Sequence, residues 1–212
     1  MKNLIDKNNL ILIEAAIVER LRRSGQVELH PSLVHATLIY DDNGKKELKK
    51  LYRSYISIAL DADVPIILIA PTWRANYERV KSAKVNLSIN SDAVRFMLDL
   101  RDSYGSYASM IKIGGLIGCK NDCYLPEQGL SKLESETFHL WQINHLAQAG
   151  VDFLMASTLP NVNEAIGIAK AMEKTGVPYI LSFVINREGL VLDGTRLWNA
   201  TQQIDSETSH QP

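Results

Sequence analysis

Three short apolar runs, each launched by a turn breaker and stopped on a hydroxyl or small residue, restrict this chain to few architectures. Ile66-Ile67-Leu68-Ile69-Ala70 follows Ala62-Asp63-Val64-Pro65 and stops at Pro71-Thr72. Asp152-Phe153-Leu154-Met155-Ala156 follows Gly150-Val151 and stops at Ser157-Thr158; Tyr179-Ile180-Leu181 follows Gly176-Val177-Pro178 and stops at Ser182. A strand without polar alternation is one covered on both faces, as in a parallel sheet. Parallel neighbours need a crossover of a dozen residues or more between them, usually a helix. Leu10 to Glu14 and Met110 to Ile113, the latter running into Gly114-Gly115, are two further candidate strands.

The crossovers are legible. Ser131-Lys132-Leu133-Glu134 has the form of a capping box, and the spacing after it predicts one helical face of Leu133, Leu140, Trp141 and Ala147, closed by Gly150. Asn161-Val162-Asn163-Glu164 repeats the start signal for a helix through Ile166, Ala169 and Met172 to Gly176, with Pro178 beyond it as a stop. Lys45 to Leu60 and Ser91 to Arg101 are amphipathic, and a helix after the first strand ends at Gly25. About five alternating βα units result, which is the α/β signature. No composition shift divides the chain, so residues 1–205 read as one domain and 206–212 as a polar tail. A complete (β/α)₈ barrel takes ~250 residues. Five units therefore make either an open doubly wound sheet or the first part of a barrel, and periodicity does not choose.

Composition removes several partner classes. The chain sets 23 Lys+Arg against 24 Asp+Glu, interleaved along its length, which leaves no basic stripe for nucleic acid and no polybasic anchor for a membrane. No apolar stretch of about 18 residues is present and the start lacks a signal-peptide h-region. Cys119 and Cys123 lie too close in sequence to staple long loops, so reduced thiols in the cytoplasm are the expectation.

In a parallel α/β architecture ligands meet the carboxyl ends of the strands. The residues there are Glu14, Thr72, Trp73, Arg74, Asn76, the segment Gly114 to Cys123, Ser157, Thr158 and Ser182. Hydroxyls with one carboxylate and one guanidinium suit a small zwitterionic ligand; equally, strand-end hydroxyls cap following helices. Glu14, at the mouth of the first strand, reads as a partly desolvated carboxylate that holds an ammonium or acts as a base, or as an ordinary first-turn glutamate. Gly114 to Cys123 reads as a flexible loop whose glycines let backbone approach a ligand. Two cysteines with no second half-site do not make a structural zinc motif. His139 and His145, six apart, point to different faces of their helix. No G-x-x-x-x-G-K-[ST], G-x-G-x-x-G or G-x-S-x-G occurs, which argues against nucleotide binding and an α/β hydrolase.

With these residues in view, the chain from about Leu10 to Asp205 resembles the first two thirds of the homocysteine S-methyltransferase family. Ile11-Leu12 with Glu19, Arg22-Arg23 and Gly25 is similar to that family's opening strand and E-L-x-R-R-G helix. Ala70-Pro71-Thr72-Trp73-Arg74-Ala75-Asn76 stands where the family has T-x-T-[YF]-x-A, and Gly114-Gly115-Leu116-Ile117-Gly118 where it has G-S-[IL]-G-P. Gln142 to Asp152, ending L-A-Q-A-G-V-D, then Thr158-Leu159-Pro160 with Glu164-Ala165, and Ser182-Phe183 complete the resemblance. It implies a parallel (β/α) TIM-barrel-like fold, partial in this chain, and methyl transfer from a sulfonium or another methyl donor to the thiol of homocysteine. By the same resemblance the substrate-binding candidates are Glu14, Thr72, Asn76, Ser157, Thr158 and Ser182.

The resemblance also implies zinc. A free thiol of pKa ~8.5 is a few per cent thiolate at pH 7, and the family binds it to zinc held by three cysteines in G-x-N-C and G-G-C-C-G segments. Those segments have no counterpart here, and Cys119 and Cys123 are on another loop. The expectation is therefore that this chain alone binds no zinc and is impaired in methyl transfer. Where the family's first strand ends in D-G, this sequence has Ile13-Glu14, with Glu14 a stand-in for the lost carboxylate. Where the family carries the glutamate of E-T-[IL]-P, this sequence has Ser157. That exchange forfeits ~1.5 to 3 kcal/mol of charge-assisted contact to an ammonium. Two alternatives stand beside this reading: a catalytically silent member that binds a small ligand or a partner, and an independent α/β enzyme using Glu14 and the Gly114 to Cys123 loop. In the partial-barrel readings an oligomer or a complementing chain is expected to cover the open edge.

Overall fold

The computed structural model describes residues 6–209. Five strands form one sheet in sequence order, β1 (Leu12–Ile13), β2 (Ile66–Ile69), β3 (Ile111–Gly118), β4 (Phe153–Leu159) and β5 (Tyr179–Phe183), each parallel to its neighbours. Between and after them run α1 (Ile17–Ser24), α2 (Asp42–Asp61), α3 (Tyr77–Ser82), α4 (Ile89–Asp102), α5 (Lys132–Gln148), α6 (Val162–Glu173) and α7 (Leu197–Glu207). Strand order equal to chain order is the winding of a barrel, whereas a doubly wound sheet reverses direction at a switch point. The sheet curls into a partial TIM-barrel-like half-barrel, which decides the choice that periodicity left open. Among the described residues β1 and β5 are each paired on one side only.

Alternate residues of each strand face opposite ways. Outward, Ile66, Leu68, Ile111, Ile113, Ile117, Leu154 and Ala156 join the main core beneath the helices. Inward, Ile67, Ile69 and Phe153 form a smaller cluster, with Ile11, Leu116, Met155 and Ile180 packed against it. The inward layer is thin toward β1, where Ile13 remains 49% exposed.

Three sequence expectations change. Gly114 to Gly118 is not a flexible loop but the carboxyl half of β3, in register with Phe153 to Ser157. Its glycines answer to packing: a Cβ on Gly114 would lie 2.3 Å from the Phe153 ring, and one on Gly118 would lie 2.6 Å from the Trp73 indole nitrogen. The buried face of α5 is Ser135, His139, Gln142, Ile143 and Leu146, while Leu133 is 75% exposed. The apolar pattern misassigned that face because three of its members are polar and meet their partners inside. Finally, Ser157 and Thr158 lie within β4 rather than after it, at a break in register between Ala156 and Leu159 where Thr158 takes φ 57°.

The start signals were sound. Ser131 and Glu134 make a reciprocal capping box, and Asn161 accepts from the Glu164 amide at 3.2 Å. Helices α3 and α7 had no predicted counterpart. The latter runs into the segment read as tail, and the Glu207 carboxylate bridges Lys132 and, at 2.8 Å, Lys170; residues 210–212 lie outside the described residues.

Candidate active site at the strand mouths

The carboxyl end of β2 is strapped to β3 by one hydroxyl. Thr72 Oγ1 donates to the Leu116 carbonyl at 2.8 Å and accepts from the Leu116 amide at 3.1 Å. Gln142, buried on α5, donates to the Thr72 carbonyl at 2.7 Å and to Asn90 at 3.2 Å, and Asn90 donates to the Ala75 carbonyl at 2.8 Å. These bonds satisfy polar groups that would otherwise be costly to bury. They fix the turn that carries Trp73, whose carbonyl accepts from the Gly118 amide at 3.1 Å.

Beside this strap opens a cavity of about 320 Å³. Glu14, the first turn of α1, His35, Trp73, Ser157 and Thr158 line it over a floor of Ile69, Leu116 and Met155. Burial pushes the Glu14 carboxyl up from 4.5 to about 7, with a backbone hydrogen bond from Ile69 pulling the other way. His35 is 4% exposed, its Nδ1 has no hydrogen-bond partner, and burial pushes the imidazole down to about 4. The N-cap of α1 is Ala16, held at φ 55°, so no side chain caps the first amides of that helix. The Thr158 hydroxyl donates to the Ser157 carbonyl at 2.6 Å.

Of the six sequence candidates, the structure brings Glu14, Ser157 and Thr158 together. Thr72 and Asn76 are buried outside that lining, with Thr72 engaged on Leu116 and Asn76 accepting from the Arg79 amide at 3.0 Å as the cap of α3. Ser182 lies on β5 outside the cavity lining. Arg74 stacks on Trp73 at 4.4 Å and spends its guanidinium on the carbonyls of Asn121, at 2.8 Å, and Cys119.

Two residues of consequence were missed. His35 lies in no motif and far in sequence from any strand end. Glu164 was read as a helix-start signal, yet its carboxylate, 1% exposed, clamps the loop after β3. It accepts from the Lys120 amide at 2.8 Å, the Leu130 amide at 3.3 Å and His139 Nε2 at 3.0 Å. Burial pushes the Glu164 carboxyl up, but His139 and the two backbone donors outweigh it and hold it below the ordinary range. A carboxylate three residues after an asparagine cap gives no sequence hint that the side chain turns inward.

The family model for homocysteine S-methyltransferase matches residues 11–210. The chain belongs to the homocysteine S-methyltransferase family. Solved structures similar in fold are those of the homocysteine methyltransferase MmuM from Escherichia coli. The metallated form aligns with TM-score 0.82 at 18% identity, covering 97% of this chain and 74% of that one. The oxidized form aligns with TM-score 0.80 at 18% identity over 97% and 73%, and the apo form with 0.70 at 18% over 96% and 70%. At that identity the likeness speaks to the fold. No curated protein sequence matches the chain.

Zinc, which membership in this family implies, finds no fitting ligand set here. Among the described residues no three His, Cys, Asp or Glu side chains come together to hold a metal ion. The two thiols are buried and free; burial first, and the nearby Glu164 carboxylate second, push the Cys119 thiol up to about 12, the opposite of what a metal-bound thiolate requires. Cys119 Sγ donates instead to the Asn121 carbonyl at 3.4 Å. Among the described residues no helix is long and apolar enough to cross a membrane.

Proposed function

We propose that the cavity receives the amino-acid thiol acceptor of a methyl-transfer reaction, homocysteine or a close analogue, with its ammonium on Glu14. The observation that carries the reading is a half-buried carboxylate at the mouth of the first strand, beside Trp73, Ser157 and Thr158, in a chain of this family. An ammonium drawn into such a place keeps Glu14 ionised, and each partner offsets the desolvation of the other. Ser157 and Thr158 supply neutral oxygen atoms in the same lining, and Trp73 supplies a flat apolar flank for the acceptor's side chain.

In the reaction itself the acceptor sulfur forms a bond to the methyl carbon while the donor's bond to that carbon breaks, and the thiol proton leaves. A sulfonium is the donor class that suits this exchange, since it departs as a neutral thioether. The described residues offer no sulfur ligand set to generate the thiolate, so the 212-residue chain alone binds acceptor and turns it over poorly. Its buried, free thiols fit a cytoplasmic setting, and a second copy or a complementing chain covers the edges of β1 and β5.

Calorimetric titration of L-homocysteine into the chain and into Glu14→Gln tests this. Loss of a charge-assisted contact weakens binding roughly ten- to a hundredfold in the variant. Equal affinity for the two proteins contradicts the assignment of the ammonium to Glu14.

A further inference from the structure

Glu14, Ala15 and Ala16 join β1 to α1, and they decide where the Glu14 carboxylate sits. Little in the segment itself holds them. Ala15 and Ala16 are exposed, and Ala16 stands at φ 55°, in the left-handed region that an alanine enters only at a cost. Strain of this kind persists where neighbouring contacts over-determine the backbone. Here the contact comes from α2. Tyr55 Oη donates to the Ala15 carbonyl at 2.5 Å, and the Arg20 guanidinium of α1 lies over the Tyr55 ring, 5.0 Å from its centroid. Arg20 also donates to Ser54 Oγ, beside Tyr55, at 3.4 Å. The turn and the helix that follows it are thus both tied to the same stretch of α2.

Resting on the assignment of the acceptor's ammonium to Glu14, we propose that Tyr55 is a positioning residue, whose hydroxyl holds the turn after β1 in the form that keeps the Glu14 carboxylate inside the cavity. Tyr55 lies outside the cavity lining, so it acts through Glu14. Without its bond Ala16 relaxes to negative φ, the chain between β1 and α1 is re-aimed, and the carboxylate gains water. The strand itself stays, because the Glu14 amide donates to the Ile67 carbonyl at 3.1 Å. The other titratable groups around Glu14 are neutral while it titrates. Tyr52, earlier on α2, donates to the Ile69 carbonyl at 2.8 Å, and burial first, then the Glu14 carboxylate, push its phenol well above the ordinary range. His35, in the cavity lining, is pushed down to about 4 by burial. Between pH 4.5 and 7 the carboxyl that burial has raised to about 7 is therefore the reporter of this turn.

The test reads Glu14 directly. Carbon-13 spectra of protein labelled at the glutamate side-chain carboxyl give its titration midpoint, the signal being identified by its absence from Glu14→Gln. Tyr55→Phe keeps the ring beneath Arg20 and removes the hydroxyl alone. Tyr107→Phe is the control, since Tyr107 makes a like bond of 2.5 Å to the Val64 carbonyl at the amino end of β2, away from the cavity. Tyr55→Phe should lower the Glu14 midpoint by about one pH unit or more, toward that of a solvated carboxyl. It should also weaken L-homocysteine binding in calorimetric titration roughly two- to tenfold, the range for one neutral hydrogen bond. Tyr107→Phe should cost stability and move neither reading. Adding Ala16→Gly to Tyr55→Phe should bring the midpoint back toward that of the unsubstituted chain, because glycine takes positive φ freely. An unchanged midpoint in Tyr55→Phe, or an equal fall in Tyr107→Phe, overturns the role of Tyr55 and leaves amino-acid binding through Glu14 intact. If the midpoints follow the expected pattern but the unsubstituted chain does not bind L-homocysteine, Tyr55's hold on Glu14 stands and the amino-acid reading of the site falls.

Discussion

Glu14 should make this protein more stable in mild acid than at neutral pH, and replacing it should remove that difference. The folded carboxyl is pushed from 4.5 to about 7 by burial, whereas in the unfolded chain it titrates near its ordinary value. Below pH 4.5 both states hold the proton and the group contributes nothing to the pH dependence. Between 4.5 and 7 the unfolded state releases its proton while the folded state keeps it, so stability falls as pH rises. Above 7 the folded state also ionises and the full penalty is in place. At 1.36 kcal/mol per unit, the penalty is about 1 kcal/mol at pH 5 and about 3 kcal/mol at pH 8. Glu14→Gln keeps the shape and has no proton to lose. Urea unfolding followed by circular dichroism, run on both proteins at pH 5 and pH 8, should show the glutamine variant gaining about 2 kcal/mol on its parent between the two pH values. A difference that does not change with pH refutes the claim that Glu14 is desolvated, and with it the reason for placing an ammonium there.

Gly114→Ala drives a methyl into the Phe153 ring and should cost about 1 to 3 kcal/mol; Phe153→Leu in the same chain should recover part of the loss, so that the double variant falls short of the sum of the singles. Glu164→Ala removes one buried carboxylate from three donors and should destabilise by about 3 kcal/mol in urea unfolding, while opening the loop so that Cys119 and Cys123 react with a thiol reagent that they resist in the unsubstituted protein. With the edges of β1 and β5 unpaired among the described residues, sedimentation velocity on the 212-residue chain should show association that grows with concentration, and a monodisperse monomer throughout would count against open edges.

The architecture was legible where local physics decides it. Uninterrupted apolar runs such as Ile66 to Ile69 are explained by burial on both faces, and the caps at Ser131 and Asn161 by the unpaired amides of a helix start. Glycine misled, because in β3 its absent side chain makes room for Phe153 and Trp73, contacts from β4 and from the turn after β2 that no local pattern announces. Polar residues misled in the same way. Gln142 and His139 lie on the inner face of α5 because Thr72 and Glu164 meet them there, and a hydrophobic pattern assigns such residues to the outside. At the site, strand-end position picked out Glu14, Ser157 and Thr158, whereas His35 reaches the cavity from the segment between α1 and α2, through a long-range contact that sequence spacing does not encode.

The central claim is that this chain holds an amino-acid acceptor yet lacks the means to turn its thiol into a zinc-bound thiolate. Methyl transfer from S-methylmethionine to homocysteine, measured on the purified 212-residue chain in the presence of added zinc, tests it most directly. The account predicts product formation little above that of a protein-free control. Sustained turnover with one zinc ion retained per chain would contradict it.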